Sequence, residues 1–112
     1  MSDIDIVQLI SDMKSAASQI IGKDVSQIRG FAEEQLQAIA RQADFVAAGV
    51  AEGSIDESLR DFFLDSIQEM VRSFVNTLAG LITITIEKVW NAIVGVIWAA
   101  INKATGLSLI VP

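Results

Sequence analysis

No cysteine, histidine or tyrosine occurs in the 112 residues, and the one proline is the last residue, Pro112. Without cysteine there is no disulfide, no thiolate nucleophile and no zinc-finger site. Without histidine the chain lacks the commonest general base and the commonest metal ligand, so a Ser-His-Asp triad and any imidazole-held metal or haem are excluded. The expectation is therefore a protein that is not an enzyme and carries no cofactor. Positive charge is also scarce: eight Lys and Arg stand against fourteen Asp and Glu, for a net charge of −6. Such a chain repels phosphate backbones, so no nucleic-acid partner is expected, and anionic membrane surfaces are disfavoured for the same reason. The start, Met-Ser-Asp-Ile-Asp, is acidic with no basic region before an apolar run. It does not read as a secretory signal, and the expected location is cytoplasmic.

What is present is apolar and periodic. Hydrophobic residues make up 52% of the chain, enough for one small domain with a modest core. From Ile10 to Val50 the apolar residues Met13, Ala17, Ile21, Val25, Ile28, Ala32, Leu36, Ile39, Ala43 and Val46 follow in steps of three or four. The mean step is about 3.6, the period of an α-helix rather than a heptad seam. The stripe passes through Gly22 and Gly30 without losing phase, which predicts one long helix over about 4–52. Gly22 as a cap and Asp24 as a new start would allow a kink near 22–24. Ser2 with Asp5 resembles a capping box at its beginning.

In "AEGSIDES", Gly53 suits the left-handed position after a helix, and Ser54 with Glu57 reads as a capping box. A turn at 53–54 then leads into a second helix over about 55–104. Its stripe is Leu59, Phe63, Ile67, Met70, Phe74, Leu78, Ile82, Ile86, Val89, Ile93, Ile97 and Ile101. Gly106 marks its end, and the apolar tail 105–112 is expected to pack back on the helices or to pair with a partner chain. So short a loop makes the helices antiparallel, with facing residues whose numbers sum to about 107. That register sets Glu34 near Arg72 and Asp44 near Arg60 as ion pairs.

The fold expected is therefore all-α, one long antiparallel helical hairpin spanning 1–112. Two helices cannot close a core of that length, so the hairpin should assemble as a dimeric four-helix bundle or a higher oligomer. Between residues 73 and 102 the only charges are Glu87 and Lys88. A helix apolar nearly all round is covered by other helices or by lipid. The expected oligomer interface is Phe74, Leu78, Ile82, Ile86, Val89, Ile93 and Ile97. A narrow polar stripe, Asn76, Thr83, Glu87 and Asn91, runs beside it.

The stretch "LITITIEKVW", residues 81–90, alternates apolar and polar as a half-buried strand would. The helical phase through Ile82, Ile86 and Val89 argues for helix instead. As a membrane span, residues 74–101 balance poorly. Thirteen Phe, Val, Leu or Ile contribute roughly −4 to −8 kcal/mol, against about +5 to +7 for Glu87 and Lys88.

Other constellations are weaker. Glu57, Asp61, Asp65 and Glu69 lie four apart and read as a solvated acidic face rather than a cation site. Glu33 and Glu34 lack the Glu-x-x-His partner of a di-iron carboxylate bundle. The turn Ala51-Glu52-Gly53 has no Trp, unlike secreted hairpins with a Trp-x-Gly turn. The function expected is a non-catalytic, self-associating helical module that binds copies of itself or another helical protein. The alternative is a membrane- or lipid-interacting protein, of pore-forming or membrane-surface type, that exposes residues 74–101.

Overall fold

The computed structural model describes residues 4–110, and these fold as helices and connectors. Four α-helices are present: α1, Ile6–Ile21; α2, Glu33–Glu52; α3, Glu57–Ala79; and α4, Ile86–Thr105. The all-α expectation holds, and no described residue lies in a strand. The two long helices do not. Each is divided in two, and the four shorter helices close round one core within a single chain measuring 41 × 24 × 19 Å.

The first break comes at Gly22, which adopts the left-handed conformation at φ 86° and caps α1 through a bond from its N–H to the Ser18 carbonyl. Asp24 then opens a short 3₁₀ turn, Val25–Gln27. Val25 is fully buried there, its N–H donated to Ser18 Oγ at 2.9 Å. The apolar stripe kept its phase through this region because Val25 and Ile28 still face the core, but they do so from a connector. Asp5 caps α1 by accepting the Gln8 N–H. Ser2 lies outside the described residues.

The α2–α3 turn contains Gly53 in the left-handed conformation, as its sequence requires. The start of α3 differs from the Ser54–Glu57 box. Asp56 is the cap, accepting the N–H groups of Ser58 and Leu59, while Ser54 Oγ donates to the Gly49 carbonyl. An aspartate one residue before the helix outcompetes a serine three before it, because its carboxylate reaches two orphan amides. The antiparallel register is as expected: Phe31 meets Phe74 and Phe45 meets Phe63, edge to face.

The second break is at 80–85. The N–H groups of Gly80, Leu81 and Ile82 close the last turn of α3, and the chain then runs extended to the α4 cap at Thr85. Five β-branched residues in succession, Ile82 to Ile86, are poor helix formers and follow a glycine. Ile82, Ile84 and Ile86 pack against the core, and Thr83 and Thr85 are exposed. The local alternation therefore describes the backbone of this segment, though it pairs with no other strand.

Helix α4 runs antiparallel to α3. Trp90 Nε1 donates to the Gln68 carbonyl at 3.3 Å, and Arg72 pairs with Glu87 at 2.6 Å while lying 4.9 Å over the Trp90 ring. Gly106, at φ 78°, ends the helix. The tail then folds back as far as it is described. The Asn102 side chain both donates to the Leu109 carbonyl and accepts its N–H, at 3.0 and 2.8 Å.

Candidate functional site

The residues expected at a subunit interface are placed inside the chain. Phe74, Leu78, Val89, Ile93 and Ile97 are fully buried, and Ile82 and Ile86 are half-buried at the edge of the same core. Their cover comes from α1, α2 and the partner helix of the α3–α4 pair. The polar stripe Asn76, Thr83, Glu87 and Asn91 is exposed along the outside. The apolar zone 74–101 is not one helix, because the connector divides it. Among the described residues no helix is long and apolar enough to cross a membrane.

The expected ion pairs are replaced. Arg72 reaches Glu87 rather than Glu34, and Arg60 lies near Glu57 and Asp61, at 3.9 and 3.8 Å, rather than near Asp44. The break at 80–85 brings Glu87 back beside α3, and no hairpin register could anticipate that. Lys14 of α1 pairs with Glu33 at the start of α2.

No group of carboxylates among the described residues could hold a metal ion. Glu57, Asp61, Asp65 and Glu69 are exposed along one face of α3. Two aspartates titrate below the ordinary carboxylate range. Asp24 is lowered by the Ser26 hydroxyl and then by the Ser26 N–H, and Asp56 by the Ser58 hydroxyl and then by the Leu59 N–H. Both are exposed capping residues, so the shifts reflect turn structure rather than catalytic chemistry.

An open groove of about 530 Å³ runs between α1 and α4, floored by residues such as Leu9, Val96 and Ala100. Its two carboxylates, Asp5 and Asp12, are both engaged by Gln8. Ser15, Gln19 and Lys103 also line it.

The least expected surface lies toward the α2–α3 turn. Phe62 is 68% exposed, Phe45 56% and Leu59 48%. Phe63 joins them, with its ring centroid 5.5 Å from that of Phe62 and 5.8 Å from that of Phe45. The three phenylalanines thus form one continuous patch across both helices, and Leu59, one helical turn before Phe62 and Phe63, is exposed on α3 next to it. Asp61, Asp65 and Glu69 lie beside it on α3, and Arg41 and Asp44 on α2. Sequence reasoning passed over Phe45 and Phe62, although a signal was present. Both are large apolar residues that fall off the helical stripe, Phe45 beside Val46 and Phe62 beside Phe63.

Comparison of the chain with family models, curated proteins and solved structures finds no match.

Proposed function

We propose that this chain is a non-catalytic assembly module that binds copies of itself through the Phe45–Leu59–Phe62–Phe63 patch. The observation that carries this reading is the exposure of Phe62 and Phe45 in contact with a third ring. Scattered exposed apolar residues are ordinary on a protein surface, whereas a contiguous aromatic group marks a contact site. Aromatic side chains are also the residues that contribute most at protein interfaces. The absence of histidine and cysteine from the sequence supports the non-catalytic part of the reading.

The test is the molecular mass in solution across a concentration series, by light scattering, for the natural chain and for Phe62→Asp. The natural chain should associate, and the variant should remain monomeric with unchanged helical circular dichroism. A monomer at every concentration would overturn self-association. Association unchanged by Phe62→Asp would remove the patch from it. Ile86→Asp does not test the patch, because Ile86 packs against the core of the single chain.

A further inference from the structure

The patch has a counterpart at the opposite end of the molecule. There the 22–32 and 80–85 connectors meet in an open hollow of about 460 Å³. Its apolar lining is Ile28, Leu81 and Ile82, and its charged rim carries Lys23 and Arg29 against one carboxylate, Asp24. Leu81 is exposed although it touches the position where Gly30 would carry a Cβ. Lys23, Arg29 and the nearby Lys88 make no ion pair among the described residues. Of the acidic groups at this end, Glu33 is paired with Lys14 and Glu87 with Arg72, while Asp24, hydrogen-bonded to the uncharged Ser26, and Glu34 keep their charge, so Lys23, Arg29 and Lys88 outnumber the unpaired carboxylates.

The aromatic end has the opposite balance. Asp44, Glu57, Asp61, Asp65 and Glu69 outnumber Arg41 and Arg60, and Arg60 already lies between Glu57 and Asp61. Two copies meeting patch to patch would bring these carboxylates face to face, and like charges brought together at an interface are unfavourable. Patch to hollow sets carboxylates against Lys23 and Arg29 and gives Phe62 an apolar recess. The two surfaces lie toward opposite ends of a molecule 41 Å long, so one chain cannot satisfy both.

We infer that the chain assembles head to tail, the aromatic patch of one copy seated in the Lys23–Arg29–Leu81 hollow of the next. This rests on the self-association reading above and adds its geometry. A contact between two different surfaces repeats, and it gives a ring if the rotation closes or an open fibre if it does not.

The experiment uses two blocked chains, Phe62→Asp, which keeps the hollow, and the double variant Lys23→Glu with Arg29→Glu, which keeps the patch. All three substituted positions are exposed, and circular dichroism checks that the fold is retained. Each variant alone should associate at least roughly tenfold more weakly than the natural chain. An equimolar mixture should form a dimer and grow no further, since only one junction is intact. Raising the salt concentration should weaken assembly of the natural chain. If the double variant associates like the natural chain, or the mixture stays monomeric, the head-to-tail geometry is overturned while self-association through the patch stands. If the natural chain is monomeric throughout, both readings fall.

Discussion

Ile55 closes so tightly over Gly49 that any side chain at 49 would force Ile55 to shift. A Cβ at position 49 would lie 2.6 Å from Ile55 Cγ1 and nearer still to Cδ1. The contact is locked by the Ile55 N–H, which donates to the Gly49 carbonyl at 3.0 Å, and by the Ser54 hydroxyl on the same oxygen. This is what turns α2 back into α3. Gly49→Ala should therefore destabilise the fold by about 1–3 kcal/mol, although alanine is the better helix former. Adding Ile55→Val, which removes the crowding methyl, should restore part of the loss. Urea unfolding of the two single variants and the double gives the coupling, and strictly additive effects would mean the contact is not the cause.

The exposed caps Asp24 and Asp56 make stability depend on acidity in a definite direction. Both carboxyls titrate below their ordinary value of 3.8 when folded. The unfolded chain therefore takes up these protons first as the pH falls. The stability they contribute is present above that value and is lost as the pH drops through the lower, folded one. Asp56→Asn keeps an oxygen at the cap but has no charge to titrate. Its urea midpoint should fall less steeply than that of the natural chain below about pH 4. Parallel curves would show that the Asp56 carboxylate is not linked to folding.

Arg72 has two partners, the Glu87 carboxylate and the Trp90 ring. The ion pair is largely exposed and screened, so Glu87→Gln should cost about 0.5 kcal/mol or less. Arg72→Ala removes the stacking as well and should cost about 1 kcal/mol. It should also shift the tryptophan emission, which Glu87→Gln should leave nearly unchanged. Equal costs and equal spectra would mean the ring contact contributes nothing.

Asn102 holds the backbone of Leu109 with both ends of its amide. Asn102→Ala should release the tail without melting α4. The Leu109 amide should exchange with solvent faster, at least about tenfold, while amides in the middle of α4 keep their protection. Protection of Leu109 unchanged in the variant would assign the tail's order to the packing of Leu107 and Leu109 alone.

The helical content was legible because burial follows a 3.6-residue period that only helices satisfy over long stretches. Val25 and Ile28 show where that reading fails. They keep the helical phase yet sit in a connector, because a side chain can reach the core from a turn as well as from a helix. The same ambiguity governs 82–86. Ile82 and Ile86 are in phase for a helix, and Ile82, Ile84 and Ile86 are in phase for an extended chain. Both periods place two of the same residues on the core, so periodicity alone could not choose. The aromatic patch was hidden for the converse reason. Periodicity picks out what is buried and has no term for large apolar residues left outside.

By itself the sequence determined the helical class, the glycine turns at 53 and 106, the antiparallel register of α2 on α3, and the lack of any histidine or cysteine chemistry. Tertiary structure alone decided that two long apolar stripes become four helices. A pair of helices each about 70 Å long would leave much of its apolar surface in water. Breaking each at a glycine followed by weak helix formers lets α1 and α4 fold back over α2 and α3, so the chain covers its own core. That gain in burial outweighs the few helical hydrogen bonds lost at 22–32 and 80–85, and it is a property of the whole chain that no local stretch contains.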